Sequence, residues 1–180
     1  GLRFGTDPKT QARLDDVLCA SAASSPDGLP LLQYCLEELY RLRTDAGELS
    51  FEALHQVGGV EGAIARRAEQ VLAQLNDAQH AALAHVMSLV VLLSTNEETV
   101  TRRRAPWSAL RSDAEREVVA ALVESRLMVS DLSGEIPSFG IAHEAILRRW
   151  PRVRDWIETH RGALLVRARL AQLAARWLAE

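Results

Sequence analysis

The stretch Ile141–Ile157, IAHEAILRRWPRVRDWI, leaves its part of the chain few structural choices. A strand-like apolar run ends at Ile141, and the polar pair His143-Glu144 follows directly. Ile146, Leu147 and Trp150 then recur at helical spacing, and Pro151 opens a second pattern at Val153, Trp156 and Ile157. Proline has no backbone N–H and a fixed φ, so it suits the first turn of a helix and breaks the one before it. The spacing predicts a strand, a helix over Ala142–Trp150, a break, and a helix over Pro151–His160. A histidine at a helix N-terminus sits where unpaired N–H groups and the helix dipole gather anions. His143 is therefore a candidate reader of a phosphate; the alternative is a histidine bonded to backbone at a helix end or in the core.

The earlier chain is helical. Pro8–Ala20 predicts a helix begun by Pro8, and Ser21–Gly28 a loop rich in Ser, Pro and Gly. Pro30 opens a strong helix whose apolar stripe is Leu32, Cys35, Leu36, Leu39 and Tyr40. Ser50 caps a short helix to Gln56, which Gly58-Gly59 ends. Val60–Leu75 and Ala78–Leu93 follow, the second capped by Asn76-Asp77.

From Ser94 the pattern changes. Ser94–Glu98 is polar and loop-like, Val100–Arg104 reads as a strand and Pro106–Leu110 as a short helix. Ser112 and Glu115 have capping-box spacing ahead of a helix carrying Val119, Leu122 and Val123, which ends near Arg126. Strands over Leu127–Leu132 and Ile136–Ile141 flank a turn at Ser133-Gly134, with Pro137 breaking the second. A last helix, Gly162–Glu180, aligns Val166, Leu170, Leu173, Ala174 and Trp177. That stripe could lead into a further domain, fold back, or dimerise. The fold class is mainly α: a helical bundle over 1–93, a winged-helix domain with a small β-hairpin over 94–160, and a C-terminal amphipathic helix over 161–180.

A net charge of −3 argues against a strongly basic nucleic-acid binder. The arginines after Ile141 and those of Thr101–Arg104 could still face phosphate, although a solvated helical face and surface ion pairs account for them more simply. Cys19 and Cys35 lack metal spacing and read as small buried hydrophobes in a reducing compartment. Trp150, Trp156 and Trp177 read as core or interdomain anchors. The longest apolar run, near Met87–Leu93, is too short to cross a bilayer, and no apolar signal core follows a charged start. A cytoplasmic location is expected. The chain starts without methionine and stops in a helical pattern, as a piece of a longer protein would.

Enzyme signatures are missing. There is no G-x-x-x-x-G-K-[ST] loop, and Lys9, the one lysine, is not in such a context. His143-Glu144 opens H-E-x-x-H, but its fifth position is Leu147, so a second zinc ligand is lacking. No G-x-S-x-G elbow is present. No catalytic residue and no metal ligand is expected.

AHEAILRRWPRVRDWIE resembles the C-terminal signature of the bacterial STAND NTPases that often precede WD-type or other repeats. DGLPLLQYCLEELY (Asp27–Tyr40), GGVEGAIARRAEQVL (Gly58–Leu72) and TRRR (Thr101–Arg104) resemble the same family in the same order. The resemblance covers nearly the whole chain and implies the helical plus winged-helix region that follows the P-loop core. It implies that Pro30, in a GxP-like motif, packs near the adenine, although a first-turn proline has a sufficient local explanation. It implies that His143 approaches the diphosphate of ADP; Glu144 departs from the family's Asp there. No cofactor is expected in this piece alone, with ADP or ATP bound by the full-length protein. The implied partners are the upstream NTPase core in the same chain, a homo-oligomer and a downstream repeat or effector domain, with no membrane.

The function that follows is a switch module, not itself an enzyme, coupling the ADP or ATP state of the core to conformational change and oligomer assembly. The alternatives are the DNA-binding winged helix of a transcription regulator, with nucleic acid the less favoured partner, and a plain protein-interaction module.

Overall fold

A computed structural model describes residues 1–24, 27–94 and 99–179. The polar loop expected at Ser94–Glu98 lies, from residue 95 on, outside the described residues. The fold is mainly helical with small sheets, and it divides into two units, Gly1–Gln70 and Val71–Glu180.

In the first unit, β1 (Arg3–Phe4) pairs in parallel with β2 (Glu48–Leu49). Helix α1 spans Leu14–Ala23, starting later than Pro8. The Asp7 carboxylate accepts the N–H groups of Lys9 and Thr10, at 2.7 and 3.3 Å, and Gln11 has φ 58°, a left-handed turn that no helix passes through. The chain turns here, and Ser21–Ala23, expected in a loop, complete α1. Helix α2 (Gly28–Arg41) begins two residues before Pro30, which sits in its first turn. A Cβ on Gly28 would lie 1.8 Å from the Ala22 carbonyl oxygen, so glycine is what lets α1 and α2 approach. The buried face of α2 is Leu31, Tyr34, Cys35, Glu38 and Leu39; Leu32 and Leu36 are half-buried and Tyr40 is exposed. The stripe is thus rotated from the expected one and includes a carboxylate. Ser50 caps α3 (Phe51–Gln56) by accepting from the Ala53 N–H at 3.1 Å. Gly58 and Gly59 follow at φ 80° and 74°, the left-handed stop that favours glycine. Helix α4 (Gly59–Leu72) buries Ala63, Ile64 and Ala68 in this unit.

In the second unit, Asn76 and Gln79 form a reciprocal capping box for α5 (Asp77–Val90). The helix stops three residues early, because Val91–Leu93 extend into β3 and pair antiparallel with β4 (Val100–Arg102). Five consecutive apolar residues, Leu89–Leu93, cannot tell helix from strand by periodicity; the partner strand decides. After β5 (Arg104–Pro106) a 3₁₀ turn covers Trp107–Ala109. Helix α6 (Asp113–Glu124) packs on α5 and buries Val118, Val119 and Leu122, and Arg126, at φ 63°, ends that path. β6 (Met128–Ser133) and β7 (Ile136–Ile141) form a hairpin, and the sheet order is β5-β7-β6, all antiparallel. Pro137 does not break β7. The pairing with β5 stops at Pro106↔Ser138, so Pro137 has a ladder partner, Leu132, on one side only and its missing N–H is tolerated.

Helix α7 is short, Ala145–Arg149, and Trp150 is buried behind it. The two helices expected after Pro151 are one, α8, running 29 residues from Pro151 to Ala179. Gly162 leaves no gap in it, and a Cβ there would meet nothing within 4 Å. The face of α8 turned to β3 carries Leu164 and Ala168, both buried. The stripe Val166, Leu170, Leu173 and Trp177 is exposed, so Trp177 is not a core anchor. Cys19 is likewise exposed, against expectation, while Cys35 is buried.

Candidate functional site

The residues around His143 are held by backbone bonds on both sides. Phe139 and Ile141, in the central strand β7, are buried. The Ala142 N–H donates to the Leu127 carbonyl at 3.0 Å, the His143 carbonyl accepts from the Ile146 N–H at 3.1 Å, and the Glu144 carbonyl accepts from Leu147 at 2.9 Å. His143 is thereby fixed at the strand-to-helix junction, with its side chain half-buried. The junction is not the helix N-terminus expected from sequence: α7 has five residues and Glu144 precedes it without a side-chain cap. So few aligned peptides make a weak dipole. Any preference for an anion must come from the side chains.

Three arginines line a cleft beside the end of β7, and His143 is not among its lining residues. Arg102 Nη1 donates to the Ile141 carbonyl at 2.8 Å and also to the Ala142 carbonyl, gripping the chain just ahead of His143. Arg103 Nε donates to the Leu89 carbonyl at 2.7 Å. Arg104 pairs with Asp131 across the sheet. Together with Val129, Gly140 and Ile141 they line this cleft, of about 210 Å³. Arg104 is a surface ion pair, as expected; Arg102 and Arg103 instead secure backbone oxygens.

Pro30 lies half-buried in the first unit, in the first turn of α2. In the last turn of that helix Glu38, 2% exposed, accepts from Gln70 Nε2 at 3.1 Å, with Arg41 and Arg66 at 3.4 and 3.6 Å. Burial and, next, the nearby Glu38 charge push the Cys35 thiol up to about 11. The sequence signal for Glu38 was its position seven residues after Leu31, on the inward face. In the second unit Glu115 accepts from the Arg111 N–H at 2.5 Å and meets His85 Nδ1 at 2.9 Å. The capping box expected there is half-formed: Ser112 accepts the Glu115 N–H, but the Glu115 carboxylate reaches Arg111 and His85. Burial raises the Glu115 pKa, yet the Arg111 and His85 bonds outweigh it and hold the carboxyl below its usual range. Among the described residues no group of three or more His, Cys, Asp or Glu is placed to hold a metal ion.

The order of elements and of the four motifs along them can be set against known families. The family model described as Novel STAND NTPase 1 matches residues 1–180. The chain belongs to this family. No curated protein and no solved structure matches it. As a STAND protein, the chain matches its family through both units. Among the described residues no helix is long and apolar enough to cross a membrane.

Proposed function

We propose that this STAND chain is a regulatory module that couples the ADP or ATP state of an upstream P-loop core to a conformational change and to oligomer assembly. The order α6, β6, turn, β7, with β5 alongside, supports reading residues 94–160 as a winged helix. The residues present suit an accessory role rather than a complete nucleotide site: no phosphate-binding loop sequence occurs in the chain, and the arginines of the cleft already serve carbonyls and Asp131. The main nucleotide contacts would come from the core, with Pro30 beside the adenine and His143 toward the diphosphate. The residue pair that would sense the nucleotide adds no chemistry of its own.

The observation that carries the proposal is the fixed backbone of His143, locked between Arg102 ahead of it and the Ile146 N–H behind it. A ligand shifts a conformational equilibrium only through different affinity for the two states. A side chain on a rigid junction can supply that difference, because it meets one phosphate arrangement and not another. The DNA-binding alternative draws no support from Arg102 and Arg103, whose guanidinium groups are engaged by backbone carbonyls.

The test is made in the intact protein. His143→Ala should weaken ADP binding about tenfold, roughly 1.4 kcal/mol, and raise basal activity. Unaltered ADP affinity and basal activity would remove His143 from the switch.

A further inference from the structure

The apolar ridge on α8 has no use in the switch described above. Val166, Leu170, Leu173 and Trp177 are 57, 61, 60 and 77% exposed. Their spacing is four, three, four, which at 3.6 residues per turn places them within roughly 60° of arc. That is the narrow seam of a coiled coil, not the broad apolar face of a helix lying in a membrane surface. It lies opposite the inward face of Leu164 and Ala168, so packing against β3 leaves it uncovered.

Charge identifies the occupant. From Arg161 to Ala179 there are four arginines and no acid. Arg169 and Arg176 are exposed and flank one side of the seam. On the other side Arg167 turns inward and donates to the Ser88 carbonyl. In an antiparallel pair with a second copy Arg169 and Arg176 would face each other, and in a parallel pair they would meet the Arg167 and Ala174 flank, so neither arrangement supplies them with a carboxylate. We propose that the outer ridge of α8 docks an amphipathic helix of a partner protein, apolar along one seam and acidic along its flank. Its leucine-type side chains interleave with Leu170, Leu173 and Trp177, and its carboxylates meet Arg169 and Arg176.

The probe is a synthetic helical peptide with leucine at a and d and glutamate at e and g, titrated onto the whole chain by fluorescence anisotropy. A second peptide carries lysine in place of the glutamates. The acidic peptide should bind at least tenfold tighter than the basic one, and more weakly as salt rises. Leu170→Glu and Leu173→Glu, both at exposed positions that leave the melting temperature unchanged, should each lower its affinity more than tenfold. Arg169→Glu should reverse the preference between the two peptides. Equal binding of both peptides, or acidic-peptide binding indifferent to Leu173→Glu, overturns the proposal. So does sedimentation showing the chain already self-associated through this ridge, or preferential capture by phosphatidylserine vesicles that Leu170→Glu abolishes.

Discussion

Arg102 holds the carbonyl of Ala142, the residue immediately before His143, although the two are 40 positions apart in sequence. This bond ties β4 to the end of β7 and sets where the junction begins. Arg102→Ala should destabilise the chain by about 2 kcal/mol, the scale of a charged hydrogen bond to partly buried carbonyls. Arg102→Lys should recover part of that loss, since an ammonium can still donate to one of the two oxygens. Urea unfolding of the three proteins measures both effects.

Glu115 gives the second unit a defined response to acid. Its folded-state pKa lies below the unfolded value, so its ionised form contributes stability above the ordinary carboxylate range. That contribution disappears as pH falls through the lowered folded value. Glu115→Gln should therefore melt below wild type at pH 7, and the gap should close as the pH drops below about 4. A gap that widens in acid would contradict the sign.

The two thiols should separate cleanly. Cys35 is 0% exposed, with its pKa raised to about 11, whereas Cys19 is exposed. Thiolate is the reactive form. Iodoacetamide at pH 8 should alkylate Cys19 within minutes and Cys35 only after unfolding, as peptide mass spectrometry would record.

Gly162 is the position where the sequence suggested a break. In the structure it is an ordinary helical residue with open space around it. Gly162→Ala should raise stability by about 0.5–1 kcal/mol through helix propensity. A drop in melting temperature would mean that the helix bends there.

Local signals were the legible part of this fold. The Ser50 and Asn76 caps, the left-handed stop at Gly58-Gly59 and strand β7 follow from side chains acting within a few residues. Tertiary partners governed the rest. Val91–Leu93 are strand because β4 lies beside them, and Glu115 turns to His85 because α5 supplies it. The α2 stripe was misplaced because Glu38, a charged residue, occupies a buried position that a hydrophobic count skips. At the candidate site, His143 was readable as a residue type after a strand. The bonds from Arg102 were not, because nothing in Thr101–Arg104 marks which arginine reaches the end of β7.

The continuity of α8 has a mechanical meaning. At 1.5 Å per residue, its 29 residues make a rod of about 43 Å. The rod is rooted at Pro151, one residue beyond buried Trp150 and eight beyond His143. With no joint at Gly162, the rod runs unbroken from that root to its packing on β3 at Leu164 and Ala168, and on to an exposed far end. One continuous helix therefore ties the junction at His143 to the β3–β4 pair.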